Sequence, residues 1–129
     1  MEQTRKTRAV VVEKDPAVAG AVNKILEKRG FDLSTLIGKQ EALEGIKAYA
    51  LAIVGDAEGS SSVFETMREI VMNSPMTSII LITDLPEKEV NDTAEGYGIM
   101  GHVSREVPPD QLDPLLDQFE AIMIPVARP

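Results

Sequence analysis

The sequence predicts an α/β domain in which a five-stranded parallel sheet is covered by helices on both faces. Two observations support this prediction. Short apolar segments alternate with segments of helical periodicity along all 129 residues. Two of the apolar segments show no polar alternation, as is typical of central strands buried on both faces. Because strict alternation of strands and helices requires crossover connections, the strands are predicted to run parallel.

The predicted strands are short and rich in β-branched residues. The first, RAVVVE, is too short for a helix, and the second, FDLSTLI, alternates weakly. The third, ALAIVG, and the fourth, MTSIILIT, are the two that lack polar alternation, and IMGHVS is the fifth. The predicted strands are residues 8–13, 31–37, 50–55, 76–83 and 99–104.

The predicted helices are recognised by apolar residues at helical spacing and by residues that favour helix ends. The first helix has Asp15 as its N-cap, Pro16 at its first position and Gly30 after its last turn. The last helix is predicted to begin at Asp113-Pro114 and to end at Pro125. The other three are predicted within residues 39–50, 62–73 and 85–98.

Composition is typical of one soluble globular domain over residues 1–129. The absence of cysteine excludes disulfides, thiolate metal sites and cysteine nucleophiles. A net charge of −8 argues against binding to nucleic acid or to an acidic membrane. With no signal peptide and no apolar segment long enough to cross a membrane, we expect a cytoplasmic protein. Residues 1–7 are expected to form a basic arm, and residues 125–129 to be an end of the kind left when a domain is cut from a longer protein.

Candidate functional residues lie where the predicted strands end. Sheets of this kind place their functional site at the carboxyl ends of the strands, where the strand order reverses. The residues at these ends are Glu13, Lys14, Asp15, Gly55, Asp56, Thr83, Asp84, Ser104 and Arg105.

Several of these segments resemble a response-regulator receiver domain, and the resemblance covers nearly the whole chain. VVVEKDP is similar to the family's first strand, which ends in an acidic pair, and IILIT to its fourth, with Thr83 at the Ser/Thr position. Counting on from Thr83 places His102 at the aromatic switch position and Arg105 at the invariant lysine. The resemblance implies a flavodoxin-like doubly wound (βα)₅ fold with strand order 2-1-3-4-5. It also implies a bacterial, non-enzymatic role in a two-component phosphorelay.

The residues that would carry the family's chemistry differ from the family pattern. A working receiver holds Mg²⁺ with its acidic pair and its phosphoacceptor aspartate. Here the pair is Glu13-Lys14, and counting back from the following helix places Gly55, not Asp56, at the acceptor position. These departures predict a pseudo-receiver that acts through protein–protein contact and holds no metal or other cofactor.

Four charged residues carry specific hypotheses. The Lys14 ammonium is predicted to take the place of Mg²⁺ by pairing with Glu13 and with Asp56. Arg105 is expected to reach a carboxylate across the site. Asp15 is interpreted as the helix N-cap that Pro16 suggests. Asp56 is interpreted as a loop carboxylate that caps the following helix or pairs with a cation.

Three further interpretations concern uncharged or weakly basic residues. Thr83 is expected to satisfy local backbone groups with its hydroxyl. His102 is interpreted as a half-exposed residue at an aromatic position, with a pH-sensitive switch as the alternative. Five methionines are interpreted as core packing: Met67, Met72, Met76, Met100 and Met123.

Two alternative functions remain open. In the first, a conventional receiver is phosphorylated on Asp56 and uses Glu13, Asp15 and Asp56 as an irregular Mg²⁺ site. In the second, the loop GDAEGSSS (55–62) binds a phosphate or nucleotide through backbone N–H groups. By the same resemblance, the expected partners are a histidine kinase, an output domain, or a second copy bound through the fourth helix, fifth strand and fifth helix.

Overall fold

The sheet has the predicted topology. In the computed structural model, which describes residues 7–123, five parallel strands lie in the order β2-β1-β3-β4-β5. Residues 1–6 and 124–129, with most of the predicted basic arm and all of the predicted C-terminal end, lie outside the described residues. The strands are β1 (Arg8–Val12), β2 (Asp32–Leu36), β3 (Leu51–Val54), β4 (Ser78–Ile82) and β5 (Gly101–Val103).

A helix follows each strand, as predicted. The Asp15 carboxylate caps the first helix, since its Oδ1 accepts the N–H of Ala17 at 2.9 Å. None of the helices among residues 7–123 is long and apolar enough to cross a membrane. The helices are α1 (Pro16–Lys28), α2 (Lys39–Glu44), α3 (Val63–Asn73), α4 (Glu87–Ala94) and α5 (Pro109–Met123), with a 3₁₀ turn at Ile46–Ala48.

The predicted start of α5 is wrong by one turn. The helix begins at Pro109, and Pro114 lies inside it. Proline suits a first helical position, and the fully buried Leu112 extends the apolar face of the helix to this earlier turn. Pro114 leaves the carbonyl of Asp110 without its helical donor, but both residues are exposed, so water can take the place of that donor.

The core lies on both faces of the sheet. On one face α1 and α5 pack against the strands, and on the other face α2, α3 and α4 do so. All four residues of β3 are buried, which confirms the prediction of a central strand. Both faces of the sheet are therefore covered by helices, as predicted.

The interpretation of the methionines is confirmed for Met67 and for Met100, which packs against the core on the α1–α5 face, and it is wrong for the other three. Met67 is fully buried on α3, whereas Met72 is 80% exposed and Met76 is 89% exposed. Met72 lies in the last turn of α3 and Met76 in the turn before β4. Met123, at the end of α5, is also exposed.

Candidate functional site

The strand register brings Glu13 beside Gly55 at the carboxyl edge of the sheet. Val12 is paired with Val54, and the N–H of Gly55 donates to the carbonyl of Val12 at 2.9 Å. One residue further on, the N–H of Lys14 donates to the carbonyl of Asp56 at 2.8 Å. The pairing of β1 with β3 therefore continues into the loops that carry the site.

The Glu13 carboxylate is completely buried, and both of its oxygens are hydrogen-bonded. Oε1 accepts the N–H of Asp56 at 2.9 Å, and Oε2 accepts the N–H of Asp15 at 2.9 Å. The Arg105 guanidinium donates to Oε1 from Nη1 at 2.9 Å and to Oε2 from Nη2 at 2.8 Å. A buried charge requires a counterion and satisfied hydrogen bonds, and Glu13 has both.

Gly55 provides the space that this carboxylate occupies. A Cβ atom at position 55 would lie 1.9 Å from Oε1 of Glu13 and 3.3 Å from Nη1 of Arg105. Side chains do not approach that closely, so no residue with a Cβ fits while the ion pair is in place. The volume that a side chain at the end of β3 would enter is filled by Glu13.

Arg105 is held at its backbone as well as at its guanidinium. Its N–H donates to Oδ1 of Asp84 at 2.9 Å, which fixes the loop between β5 and α5. The hydrogen bonds that Arg105 donates to Glu13 raise the pKa of Arg105, against the opposing effect of partial burial, and the charges of Glu13, Asp56 and Asp15 raise it further. The expectation that Arg105 reaches a carboxylate across the site is confirmed.

The cation hypothesis for Lys14 is wrong. The side chain of Lys14 is exposed, and within residues 7–123 it forms no ion pair. Glu13 is buried, whereas the next residue, Lys14, is exposed at the bend before α1. The cation beside Glu13 is Arg105, which follows β5 at the same carboxyl edge of the sheet.

Asp56 lies at the margin of the site and not within it. Its side chain is 52% exposed, and Oδ2 is 3.4 Å from Nη1 of Arg105. The interpretation of Asp56 as a loop carboxylate that pairs with a cation is consistent with this position.

The donor set does not suit the Mg²⁺ that the receiver resemblance would imply. Both Glu13 oxygens are already bound to a guanidinium and to backbone N–H groups, and Asp15 caps α1 with one of its oxygens. Asp56 is the remaining acidic candidate, and a fixed cation already lies beside it. Carboxylates in a Mg²⁺ site must be free to bind the metal, so these three do not form one as they are arranged here.

Thr83 and His102 line one shallow cavity of about 370 Å³, together with Glu87 and Gln111. Thr83 is buried, and its Oγ1 accepts the N–H of Leu85 at 3.1 Å, which confirms that its hydroxyl satisfies local backbone. His102 is half-buried on β5, as interpreted.

The 55–62 loop is tied down by hydrogen bonds. The N–H of Glu58 donates to the carbonyl of Ile37 at 2.7 Å, and the N–H of Lys39 donates to the carbonyl of Glu58 at 2.9 Å. At the start of α3, the N–H of Glu65 donates to Oγ of Ser62, and the N–H of Ser61 donates to the Glu65 carboxylate. The carboxylate of Glu65 thus lies at the helix start, where a bound phosphate would need positive potential. This position disfavours the phosphate-sensor alternative.

The Glu65 carboxylate is expected to make the free energy of unfolding sensitive to acid. Hydrogen bonds from Lys39, and then from Ser61, lower the pKa of Glu65 from 4.5 to about 2. Because the folded-state pKa lies below the unfolded one, the stabilisation is complete above pH 4.5 and is lost as the pH falls towards 2. Lys39→Met is expected to flatten the fall in unfolding free energy over this range, as measured by urea unfolding at several pH values. Parallel pH profiles for the two chains would contradict the assignment.

Several solved structures superpose on most of this chain. A CheY-like response regulator receiver domain protein from Methanospirillum hungatei JF-1 superposes with a TM-score of 0.76 at 19% identity, covering 90% of this chain and 95% of that chain. Chemotaxis protein CheY4 from Vibrio cholerae gives 0.76 at 19% identity, covering 89% and 99%. A response regulator from Thermotoga maritima gives 0.75 at 22% identity, covering 89% and 98%. The sequence matches no protein-family model and no curated protein. The chain therefore has the fold of the response-regulator receiver domains.

Proposed function

We propose that this domain is a pseudo-receiver, a signalling module that acts through protein–protein contact and is not switched by phosphorylation. The observation that carries the proposal is the buried Glu13–Arg105 ion pair, which fills the space left by Gly55. This ion pair lies at the carboxyl edge of the sheet, where receivers bind metal and accept the phosphoryl group.

Phosphoryl transfer to a carboxylate depends on positioning and on cations that neutralise the charge that develops. Arg105, at the position of the family's lysine, already has its charge neutralised by Glu13. Position 55 carries no side chain that could accept a phosphoryl group. Among the described residues, Asp56 is the other carboxylate that pairs with the Arg105 guanidinium, and its side chain is half exposed to solvent.

The proposed partners are proteins: a histidine kinase, an output domain, or a second copy of this chain. A second copy would bind through the face formed by α4, β5 and α5. The exposed side of α4 carries Glu87, Glu89 and Asp92, with Glu95 just beyond it, which favours a kinase or output domain with a basic surface over a second copy that would present the same acidic residues. We also propose that the domain has no enzymatic activity, holds no cofactor and lies in the cytoplasm.

The test is intact mass after incubation with a small-molecule phosphodonor, with and without Mg²⁺. We expect no gain of a phosphoryl group in either condition, with folding verified by circular dichroism. A Mg²⁺-dependent gain of one phosphoryl group that Asp56→Asn abolishes would overturn the proposal and establish the conventional receiver. Asp110→Asn, which removes an exposed carboxylate on α5, is the matched control for non-specific phosphorylation.

A further inference from the structure

The turn between β5 and α5 contains an unusual backbone conformation. The N–H of Val107 donates to the carbonyl of Ser104 at 2.9 Å, which closes a four-residue turn. Val107 has a φ of +52°, and within residues 7–123 the other residues with positive φ are all glycines. For a β-branched residue this conformation is sterically unfavourable.

Two further features make this conformation costly. Val107 precedes Pro108, and a residue before proline favours extended backbone. Val107 is also 3% exposed and belongs to the core on the α1–α5 face, so its side chain is confined. Strain of this kind persists only where the surroundings over-determine the backbone.

Hydrogen bonds on both sides of this turn hold its backbone in the strained conformation. The N–H of Ser104 donates to Oε1 of Gln111 at 2.9 Å, and the N–H of Arg105 donates to Asp84. The Arg105 guanidinium binds Glu13 through two hydrogen bonds. Of these contacts, the Glu13–Arg105 pair is the one that joins the turn to the opposite part of the sheet, 92 residues away in sequence.

We propose that the Glu13–Arg105 pair is a latch that holds the β5–α5 turn in this strained conformation. When the latch opens, Val107 relaxes to a negative φ and leaves its place in the core. The turn is then a two-state element whose equilibrium is set by an internal ion pair. This inference does not depend on the proposed function, because it concerns the conformations of the isolated domain.

The strained state also shapes a surface. Val107 and Pro109 line a groove of about 500 Å³ whose other wall is α1, including Gly20, Ala21 and Lys24. Relaxation of Val107 would therefore change the shape of this groove.

The test compares Val107→Gly with Val107→Ala. Both variants remove the two γ-methyl groups of valine, and they differ by one Cβ atom. Glycine normally destabilises relative to alanine, but at positive φ the order reverses. In the parent chain we expect Val107→Gly to have the higher Tm, by roughly 2–4 °C.

The same pair is then measured in a chain that carries Glu13→Gln. With the latch cut, residue 107 relaxes, so the advantage of glycine should vanish or reverse. Arg105→Lys keeps the charge but loses the bidentate contact with Glu13, so it changes the other partner of the latch. The same two variants at position 107 are compared in this background if Glu13→Gln does not fold. Hydrogen exchange at the Arg105 and Val107 amides should become faster in either latch variant.

Two results would overturn the proposal. If Val107→Ala is the more stable variant in the parent chain, the turn is not strained. If the advantage of glycine is the same with and without the latch, the turn holds its conformation without the ion pair.

Discussion

Gly55→Ala is expected to lower the free energy of unfolding by about 3 kcal/mol or more, the range found when a buried ion pair is broken. The added Cβ would lie 1.9 Å from Oε1 of Glu13, so the carboxylate must move. Moving it breaks the contacts with Arg105 and with the N–H groups of Asp15 and Asp56. Urea unfolding at neutral pH measures the change.

Two controls isolate this effect. Gly20→Ala adds a Cβ with nothing within 4 Å on α1, where alanine is the better helix former, so it should be neutral or stabilising. In a chain carrying Glu13→Ala, the atom that clashes with the new Cβ is gone, and Gly55→Ala should then lower the free energy of unfolding much less. A cost for Gly55→Ala that is independent of Glu13 would contradict the account of how this space is filled.

Arg105→Met is the second substitution with a large expected effect. It leaves the fully buried Glu13 carboxylate without its counterion, and breaking such a pair typically lowers the free energy of unfolding by about 3–5 kcal/mol. Because Arg105 itself is partly exposed, we expect a value near the lower end of that range. Chemical unfolding of the variant beside the parent chain gives the difference.

The matched control is Lys88→Met. Lys88 also pairs with a carboxylate, that of Asp92 one turn along α4, but both side chains are largely exposed. Exposed pairs of this spacing contribute about 0.5 kcal/mol or less. Equal effects of the two substitutions would mean that the Glu13–Arg105 pair behaves as a surface contact.

Most of the fold was predictable because its signals are local. Each strand and helix is marked by its own periodicity and end residues, and the alternation of elements then requires a parallel sheet. The start of α5 was missed because two prolines compete for the first helical position, at 109 and 114. The burial of Leu112 decides between them, and burial is a tertiary property.

The site was predictable in place but not in its contacts. Strand ends meet at one edge of a parallel sheet, so Glu13, Gly55 and Arg105 were correctly expected to lie together. Which cation pairs with Glu13 depends on side-chain direction and reach, and the sequence favoured the adjacent Lys14 over a residue 92 positions away. Glu13, Arg105 and Gly55 together were a usable signal, because two long, oppositely charged side chains can pair in the space that a residue without a Cβ leaves.

The Glu13–Arg105 ion pair closes the carboxyl edge of the sheet, where a receiver would bind metal. A titration with millimolar Mg²⁺, followed by ¹⁵N NMR at the Asp15 and Asp56 amides, tests this closure most directly because both N–H groups donate to Glu13. A variant with Glu13→Asp, Lys14→Asp and Gly55→Asp gains two carboxylates, shortens a third and serves as the comparison for metal binding. We predict no saturable shift of either amide in the parent chain. Saturable shifts of both amides that Asp56→Asn suppresses would show that the edge is open to metal and would contradict the account.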